Sequence, residues 1–258
     1  MARLPTLFVS HGAPTFALEP GRAGPLLQAV GECLPRPKAV LVVSPHWITR
    51  EIAVTASARP ATIHDFGGFP DALYQLQYPA PGAPMLAETV MALLRDQGYP
   101  ATCDPERGLD HGAWVPLRYL YPDAAVPVIQ VSMPASLDPH SAWRLGQALA
   151  PLAEAGVLVV GSGSLTHNLY EFRMGSDEQA DYAWEFVHWA RQAVRGHDKA
   201  ALMDYLHRAP HGRRAHPTPE HYLPLLVAAA AATPGGEVDV LEGGMSHGVL
   251  SMESYLFH

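Results

Sequence analysis

Three of the fourteen histidines in this 258-residue sequence follow apolar runs typical of buried strands. His11 comes directly after L-F-V-S, His46 after V-L-V-V-S-P, and His167 after V-L-V-V-G-S-G-S-L-T. Histidine is the commonest metal ligand and an acid or base near neutral pH. One such histidine is usually just a hydrogen-bonded loop residue. Three in equivalent positions predict a shared crevice, because ligands bind beyond the carboxyl ends of parallel strands.

Two more histidines have a suggestive context. His221 stands in T-P-E-H-Y-L-P, where Thr218 and Pro219 predict the start of a helix. The positive end of that helix would favour a neutral imidazole, the form that binds metal, although a solvent-facing histidine fits equally well. His111 stands in L-D-H-G-A-W, a predicted turn before a helix. It is either an acid/base group, a substrate hydrogen-bond donor or an ordinary turn residue.

The segment I-H-D-F-G-G-F-P combines His64, Asp65 and Phe66 with two glycines. Its aromatic rings and His–Asp pair predict a loop that shapes a substrate pocket, with an ordinary surface loop as the alternative. The sequence contains neither phosphate-binding glycine motif, nor H-E-x-x-H, nor G-x-S-x-G. Nucleotide binding and serine-nucleophile chemistry are therefore not supported.

The elements that must position these residues alternate along the chain. Helix patterns are predicted at 84–98, 141–156, 177–195 and 219–232, and strands at 4–10, 39–45, 52–58, 127–133, 157–161, 238–241 and 248–255. This alternation predicts an α/β fold with a mostly parallel sheet covered on both faces. No linker or repeat divides the chain, so we expect one domain over residues 1–258.

Composition excludes several function classes. The net charge is −8 and no run of Lys or Arg occurs, which argues against nucleic-acid partners. Cys33 and Cys103 are too few for a disulfide framework, and no apolar segment is long enough to span a bilayer. We therefore expect a cytoplasmic protein with no membrane contact.

Several segments, in order, together resemble one family. They are S-H-G-A-P, S-P-H-W, T-I-H-D-F-G-G-F-P, Y-P-A-P-G, D-H-G-A-W, H-N-L, P-T-P-E-H-Y-L-P and the closing G-V-L-S-M. In this order and spacing they resemble the class III extradiol ring-cleaving dioxygenases of the DOPA-dioxygenase type, relatives of the catalytic subunit of protocatechuate 4,5-dioxygenase. The resemblance covers nearly the whole chain. It implies an α/β fold around a mixed, mainly parallel sheet flanked by helices.

The resemblance also implies roles for the histidines. His11, His46 and His221 would bind one divalent metal ion. His167 would be a fourth ligand or the catalytic base, and His111 a second acid/base or substrate-binding group. The substrates would be a catechol-type aromatic diol, DOPA-like or related, and O₂.

The metal itself is left open by the resemblance. Extradiol enzymes usually hold Fe(II) with two histidines and a carboxylate. Here the third ligand is a histidine, with Glu242 as a weak alternative, and an all-histidine site also suits Zn(II). Zinc has no accessible redox change, so dioxygenase activity requires Fe(II). A zinc-dependent hydrolase and a non-catalytic metal-binding relative are the alternative functions.

Overall fold

Strands and helices alternate over most of the chain, as the apolar runs predict. The computed structural model describes residues 3–176 and 178–258. The strands are β1 Thr6–Ser10, β2 Ala39–Thr49, β3 Ile52–Thr55, β4 Ala101–Asp104, β5 Val128–Pro134, β6 Val157–Gly163, β7 Val238–Leu241, β8 Met245–Ser246, β9 Leu250–Ser251 and β10 Ser254–Phe257. The α-helices are α1 Ala23–Cys33, α2 Asp71–Tyr74, α3 Pro84–Asp96, α4 His111–Leu120, α5 Pro139–Leu149, α6 Pro151–Glu154, α7 Asp181–Arg195, α8 Lys199–Met203, α9 Tyr205–Arg208, α10 Gly212–Ala215 and α11 Leu223–Ala231.

Eight strands form one sheet in the order β4-β3-β5-β2-β6-β1-β10-β7. The four central strands β5, β2, β6 and β1 run parallel to one another. On one side β10 is antiparallel to β1 and β7 to β10, and on the other β3 is antiparallel to β5 and parallel to β4. The prediction of a mixed, mainly parallel sheet is confirmed.

Successive residues of β2 enter two different hydrophobic cores. Leu41 and Val43 pack into the core that contains residues of α3, α5, α7 and α11. Val40 and Val42 pack into the core on the opposite face, with residues of α1 and α4. Because both faces are buried, the strand is continuously apolar instead of alternating. Helices therefore cover the sheet on both sides, as predicted.

The strand β2 extends past its predicted end at Pro45 and includes His46. Its pairing with β5 is irregular between Val43 and Ile48. A local distortion of this kind re-aims side chains, and a proline is tolerated there because no ladder hydrogen bond is required of it. The prediction that His46 follows the strand was wrong, because it lies within a distorted part of it.

The helix predicted over 219–232 begins only at Leu223. Pro224 lacks an N–H and fits only the first turn of a helix, so a helix cannot extend several residues before it. His221 consequently lies in the turn before α11, and the prediction that it occupies the first helical turn was wrong. Thr218 donates its hydroxyl to Glu220 Oε1 at 2.9 Å instead of capping the helix.

Other boundaries also differ from the prediction. The helix predicted over 177–195 is observed from Asp181, and Asp177 lies outside the described residues. The strand predicted over 248–255 is divided between β9 and β10, and the helix predicted over 141–156 between α5 and α6, which meet at Pro151. Among the helices that the structure describes, none has both the length and the apolar character needed to cross a bilayer.

Candidate metal centre and active-site cavity

A cavity of about 270 Å³ opens where the central parallel strands end. Its wall is formed by five histidines and by apolar or small residues. They are His11, Gly12, Ala13, Pro14, His46, Phe66, Phe69, His111, His167, Leu169, Phe172, His221 and Leu250. The fold thus brings together all five histidines for which the sequence predicts metal binding or catalysis.

His11 is the first residue after β1 and is almost fully buried. Ser162 on β6 donates its hydroxyl to the carbonyl of Gly112, so its oxygen accepts the Nδ1–H of His11 at 2.9 Å. This hydrogen bond places the proton of His11 on Nδ1. The lone pair of Nε2 is therefore free and points into the cavity.

The other two predicted ligands each face a carboxylate with Nδ1, His46 through a longer charge contact and His221 through a hydrogen bond. His46 Nδ1 faces Asp65 Oδ2 at 3.7 Å, and His221 donates its Nδ1–H to Glu220 Oε1 at 3.2 Å. Both contacts favour the proton on Nδ1 and leave the lone pair on Nε2. One ligand atom from each of His11, His46 and His221 lies within 4.8 Å of those of the other two.

The Nε2 atoms of His11 and His46 are only 3.1 Å apart. Two nitrogens that each present a lone pair cannot hydrogen-bond to one another. Two imidazole ligands of one ion, with N–metal bonds of about 2.1 Å, have their nitrogens roughly 3.0–3.4 Å apart. This spacing therefore fits a cation held between the rings, and the donor set fits Fe(II) or Zn(II).

The electrostatics of the cluster keep these rings neutral. Burial lowers the pKa of His11 and of His221 well below the usual range, and the neighbouring histidines lower both further. Burial, followed by the charge of His111, lowers the pKa of His46 to about 3 although Asp65 opposes the shift. Neutral imidazole is the form that binds a metal ion, so the ligands need no deprotonation at neutral pH.

No carboxylate among the described residues completes a three-ligand group with His11 and His46. Glu242, the weak alternative ligand, is 58% exposed and pairs with Arg191 at 3.1 Å. Glu220 is near the cluster, but it contacts the outer nitrogen of His221. Among the described residues, the group that contains both His11 and His46 is therefore completed by an imidazole, that of His221.

His167 stacks on His221 with 3.5 Å between ring centroids and 7° between the ring planes. Its backbone N–H donates to the carbonyl of Ala215 at 2.8 Å, which fixes the loop after β6. Burial lowers the pKa of His167 to about 4, although the charge of Glu220 opposes the shift. The ring is thus a neutral proton acceptor at the cavity wall.

His111 is the first residue of α4, and Asp65 holds it at two points. The backbone N–H of His111 donates to Asp65 Oδ1 at 2.9 Å, and its ring Nδ1–H donates to Oδ2 at 3.0 Å. Burial raises the pKa of Asp65, but the hydrogen bonds from His111 outweigh this and lower it to about 2. An ionised Asp65 therefore fixes the tautomer of His111 and leaves Nε2 free for a ligand.

The three residues predicted to bind substrate are placed differently. Phe66 lines the cavity, as expected. His64 and Asp65 do not, because His64 Nε2 is hydrogen-bonded to the carbonyl of Leu76 and Asp65 is engaged by His111. His64 and Asp65 instead lie behind the side chains that line the cavity. The rings of His64 and Phe66 pack edge to face, 5.8 Å apart.

Sequence reasoning missed four contributors to the site. Ser162 and Glu220 orient the rings of His11 and His221, and Leu169 and Phe172 complete the wall. Glu220 stands next to His221 in the chain, so a search for carboxylates beside candidate ligands would have found it. Ser162 could not have been found in this way, because it lies 151 positions from the ring that it orients.

The backbone beside His11 is tightly constrained. Gly12 has φ = +61°, and a Cβ there would lie 2.5 Å from the sulfur of Met252. On the other side of His11, Ser10 donates its hydroxyl to the carbonyl of Glu253 at 2.6 Å and its N–H to Ser254 Oγ at 3.1 Å. The first residue of β10 and the residue before it thus hold the end of β1.

Comparisons with known proteins agree with this site. Residues 7–257 match the family described as the catalytic LigB subunit of aromatic ring-opening dioxygenase. The "4,5-DOPA dioxygenase extradiol" of Beta vulgaris is 41% identical over 256 residues, which cover 98% of this chain and 96% of that protein. The enzyme of the same name from Escherichia coli is 41% identical over 259 residues, with 98% and 94% covered.

A more distant relative and a solved structure extend the comparison. "Dioxygenase tasH" of Hapsidospora irregularis is 32% identical, with 90% of this chain and 79% of that protein covered. The crystal structure of an uncharacterized Escherichia coli protein superposes with a TM-score of 0.81 at 33% identity. That match covers 99% of this chain and 100% of the other, so the similarity extends over the whole fold.

Proposed function

Because the chain belongs to the family of the catalytic LigB subunit of aromatic ring-opening dioxygenases, we propose that His11, His46 and His221 form its metal centre and that Fe(II) is the working metal. The chain is an extradiol dioxygenase that opens a catechol-type ring with O₂. The observation that carries the proposal is that one ring nitrogen from each of His11, His46 and His221 lies within 4.8 Å of those of the other two, inside the cavity. When bound there, Fe(II) supplies the redox chemistry with O₂ that zinc lacks.

His167 acts as the base that takes a proton from the diol. Imidazole lone pairs lie in the plane of the ring, and the plane of His167 is parallel to that of His221 with 3.5 Å between the ring centres. The two rings therefore could not direct lone pairs at the same ion, and with His221 as a ligand the lone pair of His167 would stay available to the diol. A fourth ligand would also occupy a position that the diol or O₂ needs.

His111 is the second acid/base group of the proposed reaction, after His167. Asp65 holds its proton on Nδ1, so Nε2 faces the cavity as an acceptor until it is protonated. The diol carries two hydroxyl protons: His167 takes one, and His111 is placed to accept the other at Nε2 and to return it to an oxygen of the opening ring. Asp65 then stabilises the imidazolium form.

The apolar part of the wall excludes water and positions the ring. Phe66, Phe69, Phe172 and Leu250 surround the space in front of the histidines. Exclusion of water strengthens the hydrogen bonds that the substrate makes with the histidines and protects reactive species from side reactions. The flat aromatic substrate fits such a wall through stacking and edge contacts.

The experiment that tests this proposal is anaerobic reconstitution with Fe(II) or with zinc, followed by measurement of O₂ uptake and ring-opened product on a panel of catechols. We expect one O₂ consumed per ring opened with Fe(II) and none with zinc. Ring opening by iron-free zinc protein would contradict the choice of metal. Ester hydrolysis without O₂ uptake would instead favour a zinc hydrolase.

We also place the enzyme in the cytoplasm. Cys33 and Cys103 are both exposed and unpaired. Exposed thiols persist most readily in a reducing compartment. Fractionation of cells expressing the tagged protein, with a periplasmic or secreted marker as control, tests this placement.

A further inference from the structure

We propose that His247 is a positioning residue of the active site: its neutral ring holds the loop of residues 168–176 against the cavity, and protonation of the ring releases that loop. The inference rests on the proposed function in one respect, since it takes the cavity as the place where the diol binds. The hydrogen bonds of both ring nitrogens and the side chains that the loop brings to the cavity support this role.

His247 lies in the turn of a small hairpin beside the cavity. Strands β8 and β9 pair antiparallel, and the turn between them has φ = +50° at His247. A positive φ is uncommon for a residue with a side chain, although histidine and asparagine adopt it more often than most. Thr166, the neighbour of His167, donates its hydroxyl to the carbonyl of Val249 at 2.7 Å and accepts the N–H of Ser251 at 2.8 Å. The hairpin is therefore anchored to the segment after β6 that carries His167.

The partners of the two ring nitrogens of His247 fix one protonation state. The backbone N–H of Gly175 donates to Nδ1 at 3.0 Å, so Nδ1 carries a lone pair. The ring proton is then on Nε2, which donates it to the hydroxyl of Thr15 at 3.0 Å. The buried ring thus joins the loop to the 3₁₀ helix Pro14–Ala17, whose first residue lines the cavity. A protonated ring would turn an N–H toward the N–H of Gly175, and the two donors would repel each other.

Two further contacts with His247 hold the loop. The backbone N–H of Arg173 donates to the carbonyl of His247 at 3.3 Å. The ring of Phe172 packs against the ring of His247, with 4.9 Å between the centroids. Phe172 and Leu169 are the two residues of the loop that line the cavity. The position of this part of the wall therefore depends on His247.

The loop has few other anchors. Three of its apolar side chains are more than half exposed, namely Leu169, Tyr170 and Met174. In the first half of the loop, Glu171 accepts two hydrogen bonds of 2.8 Å from Arg214. Segments with few buried contacts open locally at a low cost in free energy. The second half of the loop is therefore the part that loss of the His247 contacts would release.

His247 is neutral at neutral pH in this environment. Burial lowers the pKa of His247 below its usual range, although the charge of Glu19 opposes the shift. Arg173 of the loop pairs with Glu178 at 3.5 Å, and strands β8 and β9 carry no charged side chain. The closed loop needs the neutral ring. It is therefore fully favoured above about pH 6.5, the ordinary pKa of histidine, and is lost as the pH falls through the lowered pKa.

Two amide substitutions separate the two ring contacts. His247→Asn places its amide oxygen near the position of Nδ1, so it can accept from Gly175 but cannot take up a proton. His247→Gln places its amide nitrogen near the position of Nε2, so it can donate to Thr15 but leaves Gly175 without an acceptor. The matched controls are His197→Asn and His197→Gln, because His197 also has a positive φ (+51°), is exposed and lies outside the cavity.

The first measurement is amide hydrogen exchange of residues 168–176 in the zinc-loaded protein at neutral pH, followed by mass spectrometry. We expect this segment to exchange at least about tenfold faster in His247→Gln than in the parent, and close to the parent rate in His247→Asn. Both His197 variants are expected to retain the parent rate. Unchanged exchange in His247→Gln would overturn the proposal.

The second measurement is the dissociation constant of catechol, measured by calorimetry with zinc-loaded protein, in which turnover does not interfere. The ratio of the parent value to that of His247→Asn cancels the effects of the other histidines, which titrate in both proteins. We expect this ratio to rise about three- to tenfold as the pH falls from about 7.5 to about 5.5, because only the parent can protonate residue 247. A ratio that is independent of pH would contradict the proposal, and so would a parent protein that does not bind catechol.

The third measurement separates positioning from a general loss of structure. With the Fe(II) enzyme and the best catechol of the panel, we expect His247→Gln to raise KM about tenfold and to change kcat by less than about twofold, since the acid/base histidines stay in place. An equal loss in kcat, or the same rise of KM in His197→Gln, would count against a specific role. Failure of the proposed function gives a different result. In that case the parent consumes no O₂ with any catechol, while hydrogen exchange and calorimetry still judge the role of His247.

Discussion

The ring of His167 lies flat against the ring of His221, with 3.5 Å between their centroids and 7° between their planes. Only one ring of such a pair can direct a nitrogen lone pair at a given ion. Under the proposed function, the stack therefore gives His221 the role of ligand and His167 that of base. It would bring the base next to the metal centre without adding a ligand to it.

Replacement of His167 by alanine separates these roles. We expect His167→Ala to keep stoichiometric metal and to lose turnover by about 10²–10⁴-fold, as for a positioned acid/base. Metal content and kcat are measured on the same sample. Metal-free protein would show that His167 is a ligand. Near-normal turnover would show that His167 is not needed for catalysis.

Each of the three proposed ligands is required for the ion. We expect His11→Ala, His46→Ala and His221→Ala to lose stoichiometric metal after dialysis, because two imidazoles cannot hold the ion with the affinity of three. His207→Ala, which removes a largely exposed histidine, is the control. X-ray absorption of the loaded parent protein checks the geometry, with N–metal distances expected at roughly 2.0–2.2 Å. Full metal content in any of the three variants would show that the replaced histidine is not a ligand.

Glu220 is expected to act through His221. The variant Glu220→Gln keeps the shape of the side chain but weakens the acceptor for the Nδ1–H of His221. Loss of such outer contacts typically lowers metal affinity by about 10–100-fold. A competitive chelator titration measures the change, and Thr218→Ala, which removes only the partner of Glu220, serves as the milder comparison. An unchanged metal affinity would show that the carboxylate has no orienting role.

Asp65 is expected to affect turnover more than metal binding. In Asp65→Asn the amide cannot accept both the backbone and the ring N–H of His111, since its nitrogen is a donor. We expect kcat to fall about 10–100-fold while KM and metal content change little. Steady-state kinetics and metal analysis of one preparation distinguish this result from general unfolding. An equal loss of metal would instead show that Asp65 acts mainly by holding His46.

Gly12 is expected to be intolerant of a side chain. Gly12→Ala must adopt φ near +61° and displace the sulfur of Met252. The left-handed conformation alone costs about 1–2 kcal/mol in a residue with a Cβ. We therefore expect a lower free energy of unfolding in urea and weaker metal binding, because His11 is the adjacent residue. Gly67→Ala, at a glycine with no atom within 4 Å of the added Cβ, is the matched control.

Local signals were sufficient to predict much of this site. Apolar runs located most of the central strands, and the histidines near or just beyond their carboxyl ends converge because parallel strands end at one edge of the sheet. The prediction that His221 lies in the first turn of a helix was wrong. Because of Pro224, the helix begins at Leu223, four residues later than predicted. The edge strand β4 and the helix α1 were not predicted at all.

Contacts between distant residues could not be predicted from a single sequence. The loop around His64 was expected to touch substrate through three side chains, but two of them turn away to bind Leu76 and His111. The direction in which a loop side chain points depends on partners that arrive from elsewhere in the fold. For the same reason the sequence could not reveal that Ser162 sets the tautomer of His11.

The clamp on Ser10 has a consequence for biosynthesis. The residues that grip the end of β1, Glu253 and Ser254, are translated 243 and 244 positions after Ser10. While the chain is being made, β1 therefore leaves the ribosome long before its neighbour β10 exists, and its edge stays open. Because such non-local pairing is slow to form, we expect His11 to be aligned only late in folding. Translation that stalls before residue 253 yields a chain that carries all five cavity histidines without the contacts that align His11.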